Sequence, residues 1–318
     1  MIYLAYILLA FLTVFISVKL SFYVDALDQK TNLSGAFIGG VLLAAVTSLP
    51  ELFTSLTAVL AIGQPNLVQG NVLGSNVFNL CIIGGLMLFY VKGYQNAKVS
   101  KSHVATLIFG LAMYACVAFG VFFPIEVPLG FLTVNLASLF IIVAYVISMI
   151  TMKNDDTETE AKDEEVPLTV GQIIVRFILF AVALVTVSIL LTNVTDKIAA
   201  ELNLGATVAG AIFLGVATSL PELSASFNLV RIGNYNASIG NVAGSNVFNF
   251  TILSFADFLY TKGGIYMNES QTINLILFGT ISTLMAFGVI KGQKNKAIVL
   301  ICSALILVSF VASIALSM

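Results

Sequence analysis

The feature that most constrains this chain is that it carries the same two sequence blocks twice. Val46-Thr47-Ser48-Leu49-Pro50-Glu51 returns as Ala217-Thr218-Ser219-Leu220-Pro221-Glu222, identical at five of six positions. Gly70-Asn71-Val72-Leu73-Gly74-Ser75-Asn76-Val77-Phe78-Asn79 returns as Gly240-Asn241-Val242-Ala243-Gly244-Ser245-Asn246-Val247-Phe248-Asn249, with one position different. Thr47 and Thr218 are 171 residues apart and Gly70 and Gly240 are 170 apart, so both the order and the spacing of the blocks are kept. The chain is a duplication, and its fold must accommodate two related halves.

The medium of that fold follows from composition. With 59% hydrophobic and 9% charged residues and a mean hydropathy of +1.03, the chain is far more apolar than a soluble domain. Runs of about 20 mainly apolar residues mark spanning helices, and they fall near 2–20, 33–60, 66–91, 103–123, 127–151, 169–192, 205–230, 237–260, 271–290 and 296–316. The first, Met1 to Leu20, lacks the basic start of a signal peptide and reads as a retained span. Five spans precede and five follow a polar stretch, Lys153 to Glu165, that holds seven acids against Lys153 and Lys162. This stretch lacks the glycine and ligand spacing of an EF-hand loop and reads as a solvated tether. The expected organisation is a first five-helix repeat at 1–152, an acidic linker at 153–168 and a second repeat at 169–318.

An odd number of spans per repeat makes the second copy enter the membrane in the opposite sense. The expectation is therefore an all-α integral membrane protein with ten transmembrane helices in two inverted-topology repeats of five, the plan of secondary transporters. Orientation follows from Lys and Arg, which concentrate in cytoplasmic loops. Loops after spans 1, 3, 5, 7 and 9 hold Lys19, Lys30, Lys92, Lys98, Lys101, Lys153, Lys162, Arg231, Lys291, Lys294 and Lys296, whereas the opposite side holds Lys197 and Lys262. Both termini are thus expected outside the cytoplasm of a cell membrane, with the acidic linker inside. Arg176 lies near the start of span 6, where snorkelling to the interface accounts for it.

Several functions are excluded by missing parts. There is no basic stripe for nucleic acid. Cys81, Cys116 and Cys302 lie in apolar runs at unrelated spacings, as small hydrophobes do. An enzyme would need more than His103 at a loop boundary and Asp257 without a second aspartate to share its proton. A channel gathers its filter by oligomer symmetry, which a duplication within one chain does not require.

Apart from Asp257, Glu51 and Glu222 are the acids within the expected spans. A carboxylate at a helix centre costs at least about 2.5 kcal/mol to insert, so each must meet a cation, a proton or a donor. Pro50 and Pro221 have no N–H, which deprives the carbonyls of Val46 and Ala217 of their helical partners and opens the preceding turn. Ser48 shares a helix face with Glu51, as Ser219 does with Glu222. Asn71, Ser75 and Asn79 recur every four residues as a polar stripe, matched by Asn241, Ser245 and Asn249. Asn71 and Asn241 suit either ion binding or hydrogen-bonded glue between helices. Gly70 with Gly74, and Gly240 with Gly244, permit close helix approach, which predicts that spans 2, 3, 7 and 8 form the centre. Two carboxylates among hydroxyl, amide and carbonyl oxygens suit a hard cation, and two negative charges match one calcium or two sodium ions better than strongly hydrated magnesium.

With these motifs in hand, the chain resembles the calcium/cation antiporter superfamily, in particular its prokaryotic sodium/calcium exchanger branch. The resemblance spans both halves and rests on Thr-Ser-Leu-Pro-Glu and Gly-Asn-x-x-Gly-Ser in each. It implies side-chain ligands from Glu51, Glu222, Ser48, Ser219, Ser75, Ser245 and Asn79, and backbone carbonyls from Ala44, Thr47, Gly215 and Thr218. Asn249 stands where some relatives carry Asp, which makes the site more symmetric and argues against potassium co-transport. Val72 and Val242 follow the Gly-Asn pairs where proton-coupled relatives usually carry an acid. The resemblance thus implies Ca2+/Na+ antiport by alternating access, with the two ions as substrates, the bilayer as surroundings, no cofactor and a monomeric unit. Ca2+/H+ antiport on the same glutamate pair is the alternative.

Overall fold

The computed structural model describes residues 1–31, 44–100, 102–130, 132–152, 167–231 and 233–316. The first part of the span expected at 33–60, and the acidic linker as far as residue 166, lie outside these.

The first half opens with α1 (Ile2–Thr31). Residues 44–47 are helical, Ser48 interrupts, and α2 (Leu49–Thr57) follows, running into one π-helical turn at Ala58–Ile62. Gly63, at φ 73°, ends that turn in the left-handed region that favours glycine. Pro65 then starts α3 (Pro65–Phe89) at a position where its missing N–H costs nothing. A short α4 (Val91–Asn96) leads to α5 (Ser102–Phe122). The second half contains α7 (Val170–Glu201) and the segment α8 (Ala206–Ala209), π-turn (Gly210–Gly215) and α9 (Val216–Thr218). It continues with α10 (Leu220–Arg231), α11 (Tyr235–Leu259), α12 (Ser270–Lys291) and α13 (Lys296–Ala315).

One expected span differs. Residues 127–151 were expected to be helical throughout, yet an antiparallel hairpin of β1 (Glu126–Leu129) and β2 (Leu132–Asn135) comes first, and helix α6 (Leu136–Met152) starts only afterwards. The sequence explains this. Pro124 disfavours helix in the residue before it, β-branched Ile125, Val127, Thr133 and Val134 suit a strand, and Gly130 turns the chain at φ 70°. The fold is thus helical with one small hairpin, rather than strictly all-α.

Among the described residues, 7 helices are long and apolar enough to cross a membrane, and the pair 206–218 and 220–231, bent by 41° at Ser219, adds an eighth if counted as one span. The two remaining apolar helices, Leu49–Ile62 and Leu136–Thr151, are shorter. Burial sorts these helices into layers. In α3 and α11, 72% of the most apolar window is buried inside the protein, against 22% in α1 and α7. α1 and α7 pack on each other and expose Leu4, Ile7, Phe11, Ile178, Leu179 and Val182, as lipid-facing helices do. The protein is a multi-pass membrane protein with α3 and α11 at its centre.

The glycine spacing does what small residues permit. A Cβ on Gly70 would run into the main chain of Thr207, and one on Gly74 into Ala211, so α3 lies directly against the 206–215 segment of the other half. A Cβ on Gly215 would meet Ser75 N at 2.8 Å from the opposite side of the same contact. Gly244 would meet Ala44 at 3.2 Å. Spans 2, 3, 7 and 8 do form the centre where they are described.

Candidate cation site

The site begins with a break in two helices. Ser48 has φ −88° and ψ 8°, and Ser219 has φ −89° and ψ 4°, the same departure from helix at matching positions. Each serine lies two residues before a proline, whose ring and missing N–H open the preceding turn. The consequence is that Glu51 and Glu222 both stand in the first turn of a new helix, α2 and α10, where the helix dipole favours negative charge. Ser-Leu-Pro-Glu has the spacing of a helix-capping box, a signal in the sequence that could have revealed these new N-termini.

Ser48 nevertheless makes no cap to its own helix. It reaches into the other half instead and donates to Glu222 Oε1 at 3.2 Å. Ser219 donates to Glu51 Oε1 at 3.0 Å. Ser245 adds a second donor to Glu222 Oε1 at 3.3 Å, and Thr47 pairs with Ser245 at 3.3 Å. The hydroxyls of Thr218 and Ser75 also lie beside Glu51. Among the described residues these carboxylates are met by hydroxyls, with no basic side chain paired to either, and each stands within the electrostatic reach of the other. Glu51, Glu222, Ser48, Ser219, Ser75, Ser245, Thr47 and Thr218 are all fully buried.

The main-chain positions divide. Gly215 O, at the end of the π-turn, accepts from Ser75 Oγ at 3.1 Å. Ala44 O is engaged by Ser48 N and by Thr47 Oγ1, both at 3.1 Å. Asn71 ties helices together, because its Nδ2 donates to Glu51 O at 3.1 Å, Thr54 Oγ1 at 2.9 Å and Ser55 Oγ at 2.8 Å. Asn241 repeats one of those bonds, to Ser226 at 3.2 Å. Ser55 and Ser226 hold corresponding places in the two halves, one turn beyond the glutamates at which the first duplicated block ends.

Five oxygens of the two glutamates and the asparagine stripes are buried and have no hydrogen-bond partner: Glu51 Oε2, Glu222 Oε2, Asn79 Oδ1, Asn241 Oδ1 and Asn249 Oδ1. Leaving a buried acceptor unmet costs about 1–3 kcal/mol, more for a charged group. These are oxygen acceptors, the ligands of calcium and sodium rather than of soft metals.

The other polar residues singled out by sequence lie elsewhere. Asp257 Oδ2 accepts from Asn135 N at 2.8 Å and Ser138 Oγ at 2.7 Å, and so caps the start of α6 from α11. Ser138 in turn meets the Tyr266 hydroxyl at 2.8 Å. His103 Nε2 pairs with Asn236 Oδ1 at 2.9 Å. Arg176 is exposed on α7.

A profile described as sodium/calcium exchanger protein matches residues 1–153 and 172–318. The inner membrane protein YrbG of Escherichia coli is 26% identical over 265 residues, covering 80% of this chain and 78% of the relative. Among solved structures, the H+/Ca2+ exchanger CAX superposes with a TM-score of 0.72 at 14% identity, covering 99% of this chain and 86% of that one. The sodium-calcium exchanger NCX_Mj superposes with a TM-score of 0.63 at 22% identity, covering 99% of both chains.

Proposed function

This chain belongs to the sodium/calcium exchanger protein family, and we propose that it carries calcium across the cell membrane in exchange for sodium entering down its gradient. Alternating access takes place at a midplane site formed by Glu51 and Glu222 with Ser48, Ser219, Ser75, Ser245, Asn79 and Asn249. The carbonyls of Ala44, Thr47, Gly215 and Thr218 complete the oxygen set. In this reading ten helices cross the bilayer in two inverted repeats, both termini lie outside the cytoplasm and the acidic linker inside, and one chain is the working unit.

The observation that carries the proposal is the exchange of donors between halves. Ser48 serves Glu222 and Ser219 serves Glu51, so each carboxylate is oriented by the other repeat. A movement of one repeat against the other then changes both carboxylates together, which is what a single site facing alternate sides requires. Two carboxylates neutralise one calcium or two sodium ions, so unlike cations compete for the same oxygens, and competition at one site is sufficient for exchange.

Sodium is favoured over protons as the coupling ion because Val72 and Val242 follow the Gly-Asn pairs, and Asn249 argues against potassium co-transport. The test is uptake of radiolabelled calcium into proteoliposomes loaded with sodium, compared with potassium or choline loading and, separately, with an imposed pH gradient. Uptake that requires internal sodium supports the proposal. Uptake driven by the pH gradient alone replaces it with calcium/proton antiport on the same glutamates.

A further inference from the structure

We propose that Asn76 and Asn246 are positioning residues that determine which atom Asn79 and Asn249 turn toward the transported cation. This rests on the exchanger reading above and deepens it. The argument begins where α3 and α11 pack together. Asn76 Nδ2 donates to the backbone carbonyl of Asn246 at 3.3 Å, and Asn246 Nδ2 donates to that of Asn76 at 3.1 Å. A backbone carbonyl can only accept, so the end of each amide that faces it must be the NH2. This settles the orientation of both amides without reference to how oxygen and nitrogen are distinguished in the side chain.

The next step follows by the same rule. With their nitrogens committed, Asn76 and Asn246 present Oδ1 on the other side. Asn79 Nδ2 donates to Asn246 Oδ1 at 2.9 Å, and Asn249 Nδ2 donates to Asn76 Oδ1 at 3.1 Å. A side-chain carbonyl oxygen also only accepts, so Asn79 and Asn249 must give it their NH2 ends. What remains are Asn79 Oδ1 and Asn249 Oδ1, buried and without partners. A sequence of obligations that starts at two main-chain carbonyls therefore ends in two oxygens free for a cation. A flipped amide would present N–H hydrogens, the positive end of its dipole, and repel the ion.

Each half supplies the residue that orients the other half's ligand: Asn246 acts on Asn79, and Asn76 acts on Asn249. All four side chains are buried, Asn246 being 6% exposed and the other three 0%. Water therefore does not readily substitute for a missing partner.

The test is equilibrium binding of radiolabelled calcium to purified protein in a double-mutant cycle. Asn246→Ala frees the Asn79 amide to rotate, and half-saturating calcium rises about tenfold, the equivalent of one lost hydrogen-bond preference. In an Asn79→Asp background there is no NH2 to hold and no wrong end to present, and the carboxylate faces Asn246 Oδ1 acceptor to acceptor, so Asn246→Ala causes no further loss and relieves that repulsion. A purely structural role for Asn246 would lower affinity by the same factor in both backgrounds, and that result overturns the proposal. If Asn246→Ala does not fold, the matching cycle of Asn76→Ala with Asn249→Asp makes the same comparison. Wild-type protein that binds no calcium overturns the exchanger reading and this one together, whereas wild-type binding with equal losses in both backgrounds overturns only this one.

Discussion

Ser219 donates its hydroxyl to Glu51 Oε1 at 3.0 Å, although the two residues are 168 positions apart and belong to different halves of the chain. Its counterpart, Ser48 to Glu222 at 3.2 Å, spans 174 positions. The spacing Ser-x-x-Glu would let each serine cap its own helix, and Ser48 does not. The hydroxyls are spent instead on orienting the carboxylate of the opposite repeat, which leaves one oxygen of each glutamate bare.

Removing the charge while keeping the shape tests the glutamates directly. In Glu51→Gln and Glu222→Gln the amide oxygen still accepts from Ser219 or Ser48, so the protein should remain folded in the membrane. Calcium flux in proteoliposomes should fall to background in both. Flux at the wild-type rate in either variant would remove the glutamates from the mechanism.

The reciprocal serines should behave as a pair. A hydrogen bond to a charged acceptor is worth about 1.5–3 kcal/mol, and about 1.4 kcal/mol is a tenfold change in an equilibrium constant. Ser219→Ala and Ser48→Ala should each raise half-saturating calcium about tenfold with a similar maximal rate. Ser245 still donates to Glu222 Oε1 in Ser48→Ala, so that effect should be the smaller of the two, and no effect in either variant would break the reciprocity on which the two-repeat site rests.

Close helix approach predicts a contrast among glycines on one helix. Ala at position 70 or 74 would push α3 away from Thr207 or Ala211, because the obstructing atoms include main chain that cannot turn aside. Gly70→Ala and Gly74→Ala should lower the melting temperature and abolish calcium binding. Gly85→Ala, on the same helix with open space at its Cβ, should leave both unchanged. Thermal unfolding in detergent, with and without calcium, reads the difference.

Asp257 is expected to matter for stability and not for ions. Its carboxylate holds the Asn135 N–H and the Ser138 hydroxyl at the start of α6. Asp257→Ala should cost at least about 1.5 kcal/mol, since two donors lose a charged acceptor. Half-saturating calcium should stay at the wild-type value. A loss of calcium affinity with normal unfolding would place Asp257 in the ion path instead.

Much of this could be read in advance because the local rules and the fold agree. The duplicated blocks, the apolar runs and the small-residue spacing lead to paired halves, helices and a close-packed centre, and the structure places Gly70 and Gly74 in that contact. The hairpin at 126–135 is obscured because its Val and Leu residues count toward a spanning helix in any hydropathy average. Its markers, Pro124 and Gly130, act through the backbone, and their two values barely move a hydrophobicity average. Ser55 and Ser226 were missed for a different reason: they support the site from a turn further along α2 and α10, toward the asparagine stripes, and a search for ligands passes over residues that only hold ligands.

By itself, the sequence determined the residue types at the site, their duplication and the hard-cation chemistry they favour, because these depend on composition and spacing along one strand of chain. Only the tertiary structure decided which serine serves which glutamate and which asparagine orients which. Those partners lie some 170 residues apart, and a hydrogen bond between halves depends on where two helices cross, a quantity that no periodicity within either helix contains.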